Sequence, residues 1–185
     1  MVRKKTCVFI SGTGTNLKAL IKSSREYNFP INISCIISSS KKANGLNYAK
    51  IYKIPYYILN INNQLNVELI LLMLRENNIS LICLAGYMRI LGKKFFNKFS
   101  GKIINIHPSL LPKYKGLDTF KRVLKSKDKI TGCTVHYVTD KLDSGKRILQ
   151  KKIFINSNDN EKTLKAKIKK VEYKAYTEAV IRMYK

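Results

Sequence analysis

Short apolar runs alternate with helical stripes along the first half of the chain. Residues 6–10, 31–39, 55–59 and 79–85 are strand-length runs rich in Val, Ile, Leu, Phe and Tyr, each closed by polar or turn-forming residues. Between them, Leu17, Leu20 and Ile21 give one helical stripe, and residues 44–52 form a second, shorter helix. Leu65, Leu69, Leu72 and Met73 recur at a helical period within residues 65–76 and predict a helix with that face buried. The run 79–85 is so apolar that both faces of its strand need cover. Strand and helix alternating in this way predict a parallel sheet with right-handed crossovers.

The second half changes character. A strand at 103–106 runs into Asn105-Ile106-His107-Pro108, and Pro108, Pro112 and Gly116 keep the following stretch from being helical. A short helix fits 118–124, and the runs 131–138 and 147–155 read as two antiparallel edge strands joined by a polar loop holding Asp143. Residues 160–183 form a long Lys-rich helix whose stripe is Leu164, Ile168, Val171, Ala175, Ala179 and Val180. No repeat, linker or low-complexity segment divides the chain. The expected architecture is α/β: a single Rossmann-like domain over 1–185, three-layered αβα, its sheet mostly parallel with antiparallel strands in the C-terminal half.

Composition changes the picture less than its numbers suggest. A net charge of +25 on 185 residues would ordinarily point to a polyanionic partner. The lysines are spread along the chain, Lys, Asn and Ile are abundant together, and no stretch interleaves Arg with aromatics. Compositional bias, rather than a specific nucleic-acid partner, is the expectation. Cys7, Cys35, Cys83 and Cys133 stand singly in apolar runs without a C-x-x-C pair, which predicts reduced core thiols and no metal site. The apolar run at 8–10 is too short for a signal-peptide core, and no run is long enough to span a membrane, so a soluble cytoplasmic protein is expected.

Two places carry candidate chemistry. Ser11-Gly12-Thr13-Gly14-Thr15-Asn16 joins a strand to a helix, the geometry in which backbone N–H groups can hold a phosphate. It is neither a P-loop nor a full dinucleotide fingerprint. Asn105 and His107 break an apolar strand end, bringing an amide and an imidazole to the rim of a sheet, where ligands of open α/β folds bind. With the Asp143 carboxylate they form a set suited to acyl-type transfer.

These motifs, together with Ala85-Gly-Tyr-Met-Arg-Ile-Leu91, Asn105-Ile-His-Pro-Ser-Leu-Leu-Pro112, Gly132-Cys-Thr-Val-His136 and Asp140-Lys-Leu-Asp143-Ser-Gly145, resemble the folate-dependent formyltransferases. The motifs occur in the family's order over nearly the whole chain, and the N-terminal turn narrows the resemblance to the glycinamide ribonucleotide branch. The resemblance implies formyl transfer from 10-formyltetrahydrofolate to the amine of glycinamide ribonucleotide in purine biosynthesis, without a metal. It implies Asn105, His107 and Asp143 as catalytic residues, with His136 in support. Gly14, Thr15 and Asn16 would hold the substrate phosphate and Glu172 its ribose. Met88, Arg89, Ile90 and Leu91, with Val138, Asp140 and Asp143, would bind the folate. The implied partners are these two small molecules, and the chain would act as a monomer or homodimer.

The chain also departs from the family. Asp118 and Phe120 stand where histidines are common, and the loop after Leu59 offers Asn60, Asn62, Asn63 and Gln64 where an Arg often occurs. After Lys185 there is no counterpart of the terminal strand region that many members carry. Methionyl-tRNA formyltransferases and formyltetrahydrofolate hydrolases share the core chemistry but carry further domains that 185 residues leave no room for. A catalytically silent, nucleic-acid-binding relative is the alternative from another class, and the intact Asn105, His107 and Asp143 speak against it.

Overall fold

The apolar run after Lys5 becomes β1 (Lys4–Ile10), with its last five residues buried. A strand covered on both faces needs neighbours on either side and helices above and below. The computed structural model describes residues 2–185 and falls into two units, divided between Ile104 and Asn105. In the first unit β1 is followed by α1 (Thr15–Ser24), β2 (Ile31–Ser38), α2 (Leu46–Ile51), β3 (Tyr56–Ile58), α3 (Gln64–Glu76), β4 (Leu81–Leu84) and α4 (Lys93–Lys98). β1 pairs in parallel with β2 and β4, and β2 with β3, giving the order β3-β2-β1-β4.

One expectation for this unit needs correction. Leu65, Leu69 and Leu72 of α3, expected in the core, are 78, 45 and 40% exposed, while Ile70 and Leu74 are buried instead. The helix is apolar on two faces, and a period of 3.6 does not say which one meets the sheet. α4 is a short helix for which the Lys-rich sequence offers no reading. Its Phe95 is buried, with its ring 6.2 Å from Phe9 and 6.0 Å from Phe99. Burial of that ring, rather than intrinsic propensity, holds the helix.

β5 (Lys102–His107) carries the chain into the second unit, which continues with α5 (Thr119–Lys125), β6 (Ile130–Tyr137), β7 (Arg147–Phe154) and α6 (Glu161–Tyr184). β6 and β7 pair antiparallel, as expected, in the order β5-β6-β7. α6 packs on both β6 and β7. Leu164, Ile168, Ala175, Ala179 and Val180 of its expected stripe are fully buried, and Val171 is half-buried. Asn160 caps the helix by accepting from Thr163 N–H while the Thr163 hydroxyl accepts from Asn160 N–H. All four cysteines are buried thiols, and none of them forms a disulfide.

Candidate active site

The second unit holds the candidate transfer centre. Side chains two apart on a strand share a face, so β5 presents Asn105 and His107 together. His107 is 6% exposed, and its Nε2 lies 2.8 Å from the Tyr114 carbonyl oxygen. A carbonyl only accepts, so Nε2 carries a proton and donates it. The other ring nitrogen, Nδ1, is 3.2 Å from Asp143 Oδ2.

Asp143 sits in a left-handed backbone conformation (φ 45°) in the β6–β7 loop. Its Oδ2 also accepts from the Gly116 N–H at 2.9 Å, and its Oδ1 lies 3.6 Å from His136 Nε2. His136 is 1% exposed and donates from Nδ1 to the Tyr137 carbonyl at 2.8 Å, leaving Nε2 to face the Asn105 amide nitrogen at 3.5 Å. The β6–β7 register shifts between Val135 and His136, and a bulge of this kind turns a side chain out of strict alternation. The loop after His107 is pinned to the same pair of strands. Thr134 Oγ1 donates to the Ser109 carbonyl and accepts from Leu111 N–H, while Arg147 and Gln150 donate to the Leu111 carbonyl. The Leu111–Pro112 peptide is cis.

The electrostatics follow from this packing. Burial pulls the His107 imidazole below its ordinary pKa and outweighs the Tyr114 carbonyl and the Asp143 carboxylate, which favour its charged form. Asp143 balances the other way. Burial raises it, but the neighbouring imidazole of His136, the hydrogen bond from the Gly116 N–H and the charge of His107 together hold it below the usual carboxylate range. With Nε2 committed to Tyr114, a neutral His107 turns the Nδ1 lone pair toward an ionised carboxylate. Two acceptors then face each other across 3.2 Å, and one more proton turns that contact into a hydrogen bond.

In the first unit the Gly-rich turn is a feature of backbone. Gly14 is the N-cap of α1 at φ 70°, and no side chain caps the helix. A Cβ at Gly14 would run into the Cα of Gly45, so both the left-handed conformation and the close approach require glycine. Gly45 N–H donates to the Gly12 carbonyl at 3.0 Å. The Ser11 hydroxyl lies 2.7 Å from that of Ser39 and accepts from Met88 N–H at 2.9 Å, joining the turn to the loop after β4. Asn16 is buried, and Thr15 opens the helix.

Other residues expected at the site are placed less uniformly. Met88, Arg89 and Ile90 are exposed in the loop after β4, whereas Leu91 is buried. Val138 is half-buried, and Asp140 is exposed. Glu172 is 8% exposed on α6, with its charge close enough to help raise the Cys133 thiol, so it is not an ordinary solvated helix residue. Gly45 and Tyr114 contact the turn and the cluster without having been singled out by pattern, and Ser11 and Gly116 were named only as parts of the turn and of the Pro-rich loop. Among the described residues no group of three or more His, Cys, Asp and Glu side chains is arranged to hold a metal ion. No described helix is long and apolar enough to cross a membrane.

Known proteins share this arrangement of chain. A phosphoribosylglycinamide formyltransferase of Haemophilus influenzae is 42% identical over 177 residues, covering 94% of this chain and 84% of that one. The crystal structure of phosphoribosylglycinamide formyltransferase from Brucella melitensis superposes with a TM-score of 0.93 at 35% identity, covering 98% of this chain and 96% of that one. Its counterpart from Anaplasma phagocytophilum gives 0.91 at 40% identity, covering 98 and 88% of the two chains. At this likeness the fold is α/β, its sheet mostly parallel with antiparallel strands toward the C-terminus. Residues 4–180 match the formyl transferase family, and the chain belongs to that family.

Proposed function

We propose that the protein transfers the formyl group of 10-formyltetrahydrofolate to the amine of glycinamide ribonucleotide, as a cytoplasmic step of purine biosynthesis. The observation that carries the proposal is the meeting of Asn105, His107, His136 and Asp143 in one buried cluster. The amine nitrogen attacks the formyl carbon directly. A C–N bond forms, the carbonyl electron pair moves to oxygen, and no covalent enzyme intermediate is required. The Asn105 amide donates to the developing oxyanion, and such a donor is typically worth roughly 10²–10³ in turnover. His136 orients that amide through its Nε2.

The proton released by the amine goes to the pair of His107 and Asp143. Burial keeps His107 below its ordinary pKa, so near neutrality the pair is one proton short and can take it. Once charged, the imidazolium stabilises the oxyanion through its positive charge, with its two N–H groups held by Tyr114 and Asp143. The His107–Asp143 pair then returns the proton to the departing folate nitrogen as the second C–N bond breaks. In the first unit, Gly14, Thr15 and Asn16 offer N–H groups to the substrate phosphate, and Met88, Arg89, Ile90 and Leu91 offer backbone groups to the pterin. In the second, Val138 and Asp140 serve the folate and Glu172 the ribose hydroxyls.

The test separates chemistry from binding. His107→Ala and Asp143→Asn should each lower kcat by about 10²–10⁴ while the Kd for a folate analogue changes little. Equal losses in both quantities would assign these side chains to pocket shape alone and remove them from the reaction.

A further inference from the structure

We propose that Asp128 is a positioning residue for the transfer: through the Tyr114 side chain it fixes the carbonyl that decides which nitrogen of His107 carries the proton. The proposal rests on the proton-carrying role assigned to His107 above.

A neutral imidazole has a single N–H to give, and here two acceptors compete for it. The Tyr114 carbonyl oxygen lies 2.8 Å from Nε2, and the Asp143 carboxylate lies 3.2 Å from Nδ1. His136 and Arg122 also reach the ring, and both oppose its charged form. A charged acceptor makes a hydrogen bond roughly twice as strong as a neutral one, so a mobile carbonyl would lose the proton to Asp143. The tautomer protonated on Nε2 therefore depends on a Tyr114 carbonyl that does not move.

Tyr114 is held at its backbone, its hydroxyl and its ring. The backbone is left-handed at φ 56°, which a bulky residue adopts only where its surroundings fix it. The carbonyl just before it, on Lys113, accepts from the buried Ser109 hydroxyl at 2.6 Å. The Tyr114 hydroxyl lies 2.8 Å from Asp128 Oδ2 and 2.6 Å from Ser126 Oγ. A carboxylate only accepts, so the phenol proton goes to Asp128. The Arg122 guanidinium stands 5.7 Å from the centre of the ring and donates to the Lys115 carbonyl, one residue further on. Asp128 is itself held, its N–H donating to Ser126 Oγ at 3.3 Å and its Oδ2 accepting from Lys113 Nζ at 2.8 Å. One carboxylate oxygen thus ties down two consecutive residues of the loop that carries the carbonyl.

NMR of the imidazole nitrogens in the whole protein tests this, because His107 and His136 are the chain's two histidines and a protonated ring nitrogen is resolved from one bearing a lone pair. At about pH 8, above the ordinary histidine pKa, the parent should show His107 neutral with its proton on Nε2. Tyr114→Phe removes the phenol donor, and Asp128→Ala removes its acceptor. In each, a measurable fraction of the proton should move to Nδ1, and kcat should fall at least about tenfold with KM near that of the parent, the usual cost of losing a group that orients a functional side chain. Asp128→Asn keeps an oxygen acceptor for the phenol and should retain the parent tautomer and a kcat within about threefold. The proposal is overturned by a parent with the proton on Nδ1, or by a tautomer that neither Tyr114→Phe nor Asp128→Ala moves. A shift in Asp128→Asn equal to that in Asp128→Ala also overturns it. A tautomer that moves while kcat does not would support the positioning role and instead remove His107 from the proton transfer.

Discussion

The transfer centre of the second unit and the Gly-rich turn of the first solve opposite problems. The centre gathers two imidazoles, a carboxylate and an amide where little water reaches, so its behaviour depends on how many protons it holds. The turn has no charge of its own. It depends on backbone shape, with Gly14 left-handed against the backbone of Gly45 and α1 uncapped by any side chain. Polar substitutions that keep volume should therefore injure the centre and spare the turn, whereas adding a single methyl group should do the reverse.

Asn105→Asp tests the first half of that contrast and carries the larger effect of the two halves. It keeps the size of the side chain but replaces the donor facing His136 with an acceptor, beside the acceptor already present at Asp143. Turnover should fall by at least about 10²–10³, measured as single-turnover formyl transfer, because the oxyanion loses a donor. A variant within about threefold of the parent would mean that the amide is not the donor. Gly14→Ala tests the other half. The left-handed backbone alone costs roughly 1–2 kcal/mol for an L-residue, and the collision with Gly45 adds to it. A lower urea midpoint and a raised KM for the phosphorylated substrate are expected, with kcat changed far less. A large fall in kcat at constant KM would erase the distinction between the two regions.

The smallest effect is in the pH dependence of stability. His107 titrates below its ordinary value in the folded chain, so its contribution is complete above the unfolded pKa of about 6.5 and is lost as pH falls through the folded value. Asp143 is also depressed, and its contribution is present above the unfolded carboxylate pKa of about 3.9 and lost as pH falls through its own folded value. In both cases the unfolded chain binds more protons, so acid destabilises in two stages. Urea midpoints taken from pH 8 to 4 should decline first in the histidine range, and His107→Gln should flatten that first stage.

Two helices show how far pattern carried. α6 buries the stripe read for it, because its other faces are crowded with lysine and leave only one choice. α3 reverses the stripe read for it, because both of its faces are apolar and the sheet takes Ile70 and Leu74. α4 was not visible because Phe95 is its one buried anchor, and a lone aromatic among lysines carries no period. At the site, Asn105 and His107 were legible as polar breaks in an apolar strand. Asp143, 36 residues beyond His107 (143 − 107), could be joined to it only through the resemblance. Tyr114 and Gly116 act through a carbonyl and an N–H, and backbone roles leave no trace in residue type.

The most direct measurement offers the purified protein 10-formyltetrahydrofolate with three acceptors in parallel: glycinamide ribonucleotide, methionyl-tRNA and water alone. Mass spectrometry then locates the formyl group. Formylglycinamide ribonucleotide is the expected product, at a rate that His107→Ala lowers by about 10²–10⁴, with neither formylmethionyl-tRNA nor free formate accumulating. Formyl transfer to the tRNA, release as formate, or an unchanged rate in His107→Ala would contradict that expectation.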